Sequence, residues 1–297
     1  MTGVQTCALP ICYLDGYALP SQLEATDDLG SAVRGADLLL MGVPTHGFRQ
    51  VLESVADAVE PGTPVISLAK GFERSTGLRM SQVAADVLPG RPVGVLTGPN
   101  LAREILEGRS AATVIAATDP SAASALQGLL ASERLRVYTN DDLVGCELGG
   151  ALKNVIALAA GMAEGLDTGD NARAALITRG LAEMTRLGVA LGGDPMTFAG
   201  LAGMGDVMAT CMSPQSRNRW VGEQVGRGAS PESVLAGMDQ VAEGVRTAAV
   251  ACEMAATVGV EVPVAEGVRS VFDLGRSPTE VWSELMSRRS GPEVATT

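Results

Sequence analysis

One histidine, His46, serves a chain of 297 residues, and aromatic residues make up only 3 % of it. A single histidine excludes Cys/His zinc clusters and every nucleophilic triad not built on His46 itself. The five cysteines, Cys7, Cys12, Cys146, Cys211 and Cys252, form no CxxC pair, and their odd number points to reduced thiols in a cytoplasmic protein. Positive charge is scarce as well: 22 Lys and Arg against 34 Asp and Glu leave a net charge of −12. That balance excludes nonspecific binding along a nucleic-acid backbone while leaving room for one local basic pocket. No uninterrupted apolar run reaches the ~20 residues of a membrane span. The first twenty residues place no Lys or Arg before an apolar stretch, which argues against a signal peptide. A GxGxxG loop is also missing: Gly203 and Gly205, like Gly226 and Gly228, lack a third glycine at the required place and follow no strand.

What is present is a chain rich in Ala, Gly, Val and Leu that is 46 % hydrophobic, enough for a substantial core. Short β-rich runs recur at 36–43, 63–69, 91–98, 111–117 and 134–138, separated by helical segments such as "FRQVLESVADAV" and "SAASALQGLLAS". Buried strands alternating with helices predict a parallel α/β sheet. After Asn140 the strand signals stop and helices broken by glycine loops take over. The expected architecture is an incomplete doubly wound, Rossmann-like sheet over 1–140, followed by an all-helical substrate and catalytic domain over 141–297. The opening "MTGVQTCALPIC" has neither strand alternation nor a glycine loop and resembles a translated sequencing-adapter remnant. It is read as replacing the first strand and GxGxxG loop, about 40 to 50 residues or one βαβ module.

Two stretches carry chemistry. In "CELGGALKNVIALAAGM" (146–162), helical spacing gathers Leu148, Leu152, Val155, Ile156, Ala159 and Met162 into a core face. Lys153 points away from it, beside Cys146, Gly149, Gly150, Ala157 and Ala160. Each interior glycine costs a helix roughly 1 kcal/mol against alanine, so the strip must receive a close neighbour. Two readings stand: a helix packs there while the lysine stem reaches water, or a ligand sits beside a proton-donating ammonium. In "GLAGMGDVMATCMSPQSRNRWVG" (200–222), Ser213 followed by Pro214 predicts a helix start, placing Ser216, Arg217, Asn218 and Arg219 in its opening turns. A helix N-terminus with an arginine fork suits a phosphate or carboxylate, although a capped helix with solvated arginines reads the same. Arg179, Glu183 and Arg186 look like a solvated or domain-facing ion-pair stripe, and Met204, Met208 and Met212 like core or cleft fillers.

The strings "VPTH" (43–46), "AKG" (69–71), "TGPNLAREI" (97–105), "GGALKNVIALAAGM" (149–162), "NARAALITRGLAEMTRLG" (171–188), "GLAGMGDVMATC" (200–211), "SRNRWVG" (216–222) and "VAEGVRT" (241–247) together resemble bacterial NAD(P)-dependent glycerol-3-phosphate dehydrogenase. The likeness runs from about residue 20 to about 290 in the family's order and spacing. It implies hydride transfer between NAD or NADP and the pair dihydroxyacetone phosphate and sn-glycerol 3-phosphate, for glycerophospholipid synthesis. It assigns Lys153 as the catalytic lysine, with the glycine strip leaving room for substrate and nicotinamide. By the same carry-over Lys70, Gly98, Asn100, Asp206, Ser216, Arg217 and Asn218 bind substrate, and His46, Lys70, Ala102, Arg217, Val241 and Glu243 meet the cofactor. Asn100 and Leu101 depart from the family's Ser or Thr followed by an aromatic, and Thr45 replaces a serine. The expected partners are these small molecules and no nucleic acid or integral membrane segment, with a homodimer allowed. Two other readings stay open: a silent fragment that binds glycerol phosphates or a partner without redox chemistry, and another two-domain hydroxyacid dehydrogenase.

Overall fold

The computed structural model describes residues 14–288 apart from Asp15, Leu19 and 239–241, so the 1–12 segment and Val241 lie outside the described residues. After a short helix α1 (Leu29–Val33), the chain alternates β1 (Leu39–Met41), α2 (Thr45–Val55), β2 (Val65–Ser67), α3 (Met80–Val87), β3 (Val93–Thr97), α4 (Ala102–Leu106), β4 (Ala111–Ala117), α5 (Pro120–Leu130) and β5 (Leu135–Asn140). The five β-rich runs of the sequence are these five strands, which lie side by side in chain order. Three of the four pairings are parallel, and β3 with β4 is antiparallel. This reversal was not expected, and it coincides with the shortest α-helix between any two of the strands. The β3–β4 connection holds only the five-residue α4, whereas parallel returns usually run through a longer crossover helix.

Alternation along the strands sends neighbours to opposite faces. Val65 and Val93 meet Phe48 and Leu52 of α2 and Met80 and Val83 of α3. Ile66, Ile115 and Val137 meet Ala123 and Leu126 of α5 on the other face. Past β5 the chain is helical: α6 (Leu143–Gly165), α7 (Asp170–Ala190), α8 (Pro195–Ala199), a π-type turn (Leu201–Gly205), α9 (Asp206–Met212), α10 (Arg217–Gly226), α11 (Pro231–Ala236), α12 (Glu243–Val258), α13 (Pro263–Phe272) and α14 (Pro278–Ser287). The core face foreseen for α6 is buried at every one of its six positions. By length and composition α6 could cross a membrane, a property the sequence reading did not see, yet 89 % of its most apolar window is buried inside the protein. It is the central helix of the domain.

α6 and α10 touch backbone to backbone. A Cβ on Gly161 of α6 would overlap the carbonyl oxygen of Arg219, and one on Gly222 of α10 would overlap that of Leu158. Each helix repeats its glycine four residues on, at Gly165 and Gly226, where a Cβ would still overlap the facing carbonyl oxygens of Glu223 and Met162. One turn of spacing on both helices makes this a continuous seam. Elsewhere the expected ion-pair stripe on α7 is corrected. Glu183 is buried and accepts the N–H groups of Val264 (2.8 Å) and Ala265 (3.0 Å). α13 opens with Pro263, so these are its first amides without a partner inside the helix. The methionines are corrected too: Met204, Met208 and Met212 are 42, 50 and 72 % exposed, because Asp206, Val207, Thr210 and Cys211 take the inward face of α9.

Two stability tests follow from this packing. Gly222→Ala has no space for its methyl group and is expected to cost about 3 kcal/mol or more in urea unfolding. Burial pushes the Glu183 carboxyl up to about 7 against the two amides that favour its charge. An acid whose pKa rises on folding stabilises the fold below its unfolded value and loses that contribution as pH climbs through the folded one. From pH 4.5 to pH 7.5 wild type should therefore lose stability relative to Glu183→Gln by on the order of 3 kcal/mol. A difference that stays flat with pH would contradict this.

Candidate active site

A cleft of about 340 Å³ opens where the carboxyl ends of β1, β2 and β3 meet α6, α9 and α10. The sheet side contributes Val43, Lys70 and Asn100, and the helical side Lys153, Thr210 and Arg217. A larger cavity of about 410 Å³ between α12, α13 and α14 gathers no comparable chemistry, because its Arg276 and Arg288 are committed to Glu284 and Glu261. Among the described residues no three His, Cys, Asp or Glu side chains converge to hold a metal ion.

At the floor of the cleft one carboxylate serves two ammonium groups. Lys153 Nζ donates to Asp206 Oδ1 at 2.9 Å and to Thr210 Oγ1 at 2.6 Å. Lys70 Nζ donates to Asp206 Oδ2 at 2.5 Å and to the Gly98 carbonyl at 2.7 Å. Burial would push Asp206 up, but Lys70 and Lys153 hold it below the usual carboxylate range. Lys153, 7 % exposed, is lowered to about 8 by burial first and by the nearby Lys70 charge second, with Asp206 opposing. The result is a lysine that can release and regain a proton near neutral pH. Cys211 on α9 is pushed by burial to about 12, as is Cys146, so both thiols stay protonated and inert.

A relay of amides fixes the rest. Gly244 N–H donates to Asn218 Oδ1 (3.0 Å), Asn218 Nδ2 donates to Asn154 Oδ1 (3.0 Å), and Asn154 Nδ2 donates to the Lys70 carbonyl (3.0 Å). A backbone donor at one end and a backbone acceptor at the other determine which way both amides face. Asn218, expected at the substrate, lines the cleft and also ties α6, α10 and α12 to the Lys70 loop. Asn154 was missed by the sequence reading. Its signal was a short polar side chain at a helical position flanked by aliphatics. Ser216 rather than Ser213 caps α10, its Oγ accepting from Arg219 N–H at 3.2 Å, and this puts Arg217 at the first helical position on the cleft wall.

The glycine strip beside Lys153 does not leave space for ligand. A Cβ on Gly149 would come within 2.6 Å of the Ala202 carbonyl, and one on Gly150 within 2.7 Å of Thr97 Oγ1. The strip instead lets the π-type turn and β3 press on α6. Gly98 has φ of +116°, a conformation that turns its carbonyl to Lys70 and favours glycine. Asn100 lines the cleft and gives its Nδ2 to Thr113 at 3.0 Å. Glu243 also lines it and accepts from Thr45 N–H (3.2 Å) and Oγ1 (2.8 Å) across the domain junction. His46 is exposed on the first turn of α2, and Ala102 is exposed beside the cleft-lining Leu101, so neither lies in the cleft wall itself.

The chain matches two family models: the NAD-dependent glycerol-3-phosphate dehydrogenase N-terminus over residues 9–123 and the C-terminus of the same family over residues 142–283. It is 54 % identical over 282 residues to a glycerol-3-phosphate dehydrogenase (NAD(P)+) 2 of Sphingopyxis alaskensis, covering 95 % of this chain and 85 % of that one. A glycerol-3-phosphate dehydrogenase (NAD(P)+) of Mycobacterium avium is 50 % identical over 93 % of this chain and 81 % of its own length. The crystal structure of glycerol-3-phosphate dehydrogenase from Coxiella burnetii superposes with a TM-score of 0.91 at 34 % identity, covering 95 % of this chain and 86 % of that one.

The charge arrangement predicts opposite shifts in two variants. Asp206→Asn removes the group that holds the proton on Lys153 and should move the Lys153 titration below about 8, whereas Lys70→Ala removes a repelling cation and should move it up. Site-specific NMR titration of the lysine side chain measures both. A rise in Asp206→Asn would mean that the bridge does not set the proton affinity.

Proposed function

The chain belongs to the NAD-dependent glycerol-3-phosphate dehydrogenase family, and we propose that this cleft interconverts dihydroxyacetone phosphate and sn-glycerol 3-phosphate. The observation that carries the reading is the buried Lys153 ammonium held between Asp206 and Thr210 beside an arginine at a helix start. Residues up to 140 form the cofactor-binding part and those from 141 the substrate part. The enzyme acts in the cytoplasm, supplies glycerol 3-phosphate to phospholipid synthesis, and takes small molecules rather than nucleic acid as partners.

The residues divide the labour by chemistry. Arg217 and the N-terminus of α10 take the phosphate, since a guanidinium fork and a helix N-terminus both favour an anion. That leaves the reacting carbonyl toward the two lysines. Lys153 Nζ gives its proton to the developing alkoxide in reduction and accepts the hydroxyl proton in oxidation. Lys70, paired with Asp206, polarises the same oxygen. With Lys153 neutral after transfer, Lys70 and Asp206 remain a balanced pair, so no isolated charge is left buried.

NAD or NADP, when bound, supplies the hydride. At the outer end of the cleft Gly42, Val43, Pro44 and Leu68 make an apolar wall that fits one face of a flat nicotinamide ring. Glu243, which accepts from Thr45 at the junction and lines the cleft, would accept a hydrogen bond from a ribose hydroxyl. The pyrophosphate end is different: among the described residues no glycine-rich loop leads from a strand into a helix. That observation keeps a second reading alive, a chain that holds glycerol phosphates without turning over.

The absorbance of NADH and NADPH at 340 nm, followed with dihydroxyacetone phosphate, tests the proposal. Lys153→Ala should lower kcat by about 10²- to 10⁴-fold, and Arg217→Ala should raise the substrate KM by on the order of 10- to 100-fold. Reduction needs the protonated lysine, so its rate should hold below pH 8 and fall above about 8, while oxidation should fall below that value. A folded chain that quenches no cofactor fluorescence and consumes none would support the silent reading instead.

A further inference from the structure

The reaction described above makes no use of Glu147, a carboxylate buried on α6 two turns before Asn154. Three donors converge on it: Ser81 N–H at 2.8 Å, Ser81 Oγ at 2.5 Å and the Arg79 guanidinium. Ser81 and Arg79 belong to the sheet domain, at the start of α3. Glu147, Gly150 and Asn154 recur at helical spacing and form one face of α6, and each meets that domain. Gly150 lies against Thr97 and the Lys70 stem, and Asn154 holds the Lys70 carbonyl.

What joins these contacts is the segment between Lys70 and Ser81. Phe72 pairs with Arg79 in an antiparallel bridge, and Glu73 N–H donates to the Leu78 carbonyl at 2.9 Å. The segment is therefore a closed ribbon whose two ends move together. Phe72, 5 % exposed, is packed in the core cluster of the helical domain. Fixing Arg79 thus fixes Phe72, two residues from Lys70. Stability alone does not account for burying a charge here, because a buried ion pair is often no better than apolar packing of the same volume. Its directional bonds do fix geometry.

We propose that Glu147 is a positioning residue for the reaction, acting through the Phe72–Arg79 ribbon to hold Lys70 against Asp206. This rests on the reading of the cleft given above. Lys70 comes from the sheet domain, whereas Lys153 and Asp206 come from the helical one, so the shared carboxylate works only if the Lys70 loop keeps a fixed place on α6.

The test is a double-mutant cycle of Glu147→Gln and Lys70→Ala with two readouts: kcat/KM for dihydroxyacetone phosphate, and calorimetric affinity for glycerol 3-phosphate without cofactor. Glu147→Gln alone should lower kcat/KM and substrate affinity about tenfold, and by less than about twofold once Lys70 is already alanine. Equal losses in both backgrounds would make Glu147 a structural residue only and overturn the proposal. Urea unfolding confirms that each variant folds; if Glu147→Gln does not, Arg79→Met and Ser81→Ala are put through the same cycle with the same criterion. If wild type binds glycerol 3-phosphate but turns nothing over, the redox reading fails while the calorimetric cycle still decides the role of Glu147.

Discussion

A carboxylate shared by two ammonium groups is the interaction on which the site depends. Asp206 is 2 % exposed, and without it two cations would face each other in a low-dielectric floor. With it, both ammonium groups share one counter-charge, while burial brings Lys153 close to losing a proton. The two lysines come from different domains. The chemistry therefore imposes a mechanical condition, that sheet and helices dock in one register. The polar face of α6 and the amide relay through Asn154 and Asn218 meet that condition with directional bonds.

Much of this was legible in the sequence, wherever the signal is local. The five strands follow from β-rich runs, and the buried face of α6 follows from helical spacing. The family resemblance, carried by eight short strings, brought Lys70, Asp206, Lys153 and Arg217 together, as the cleft does. What stayed hidden depends on contacts between distant backbones. Composition does not say that β4 runs backwards, because the strand signal is the same in either direction. Nor does it separate a glycine that admits a ligand from one that admits another helix or turn. Gly149 and Gly150 looked like the former and are the latter.

Polar residues misled in the same way. Glu183 shares a helix face with Arg179 and Arg186, and that spacing signals exposed ion pairs, yet the acceptor was recruited by amides more than seventy positions along the chain. Asn218 lines the cleft where it was expected, but its amide partners, Gly244 and Asn154, could not be read from its type. Ser213 and Ser216 both make good caps by type, and the choice between them was made by the turn that buries Ser216. In each case residue type was read correctly and the partner was not, since partners are a property of the fold.

The glycine seam between α6 and α10 has a consequence for the cleft. Lys153 rides on the first helix and Arg217 begins the second, so the gap in which a three-carbon phosphate must fit is gauged by two polypeptide backbones in contact. Side chains between helices would act as springs, shifting rotamer with temperature and neighbouring substitution. Peptide atoms have no rotamers. The seam works as a ruler whose length is written in bond geometry, and it lets the residues around it vary while the distance between the helices that carry Lys153 and Arg217 stays constant.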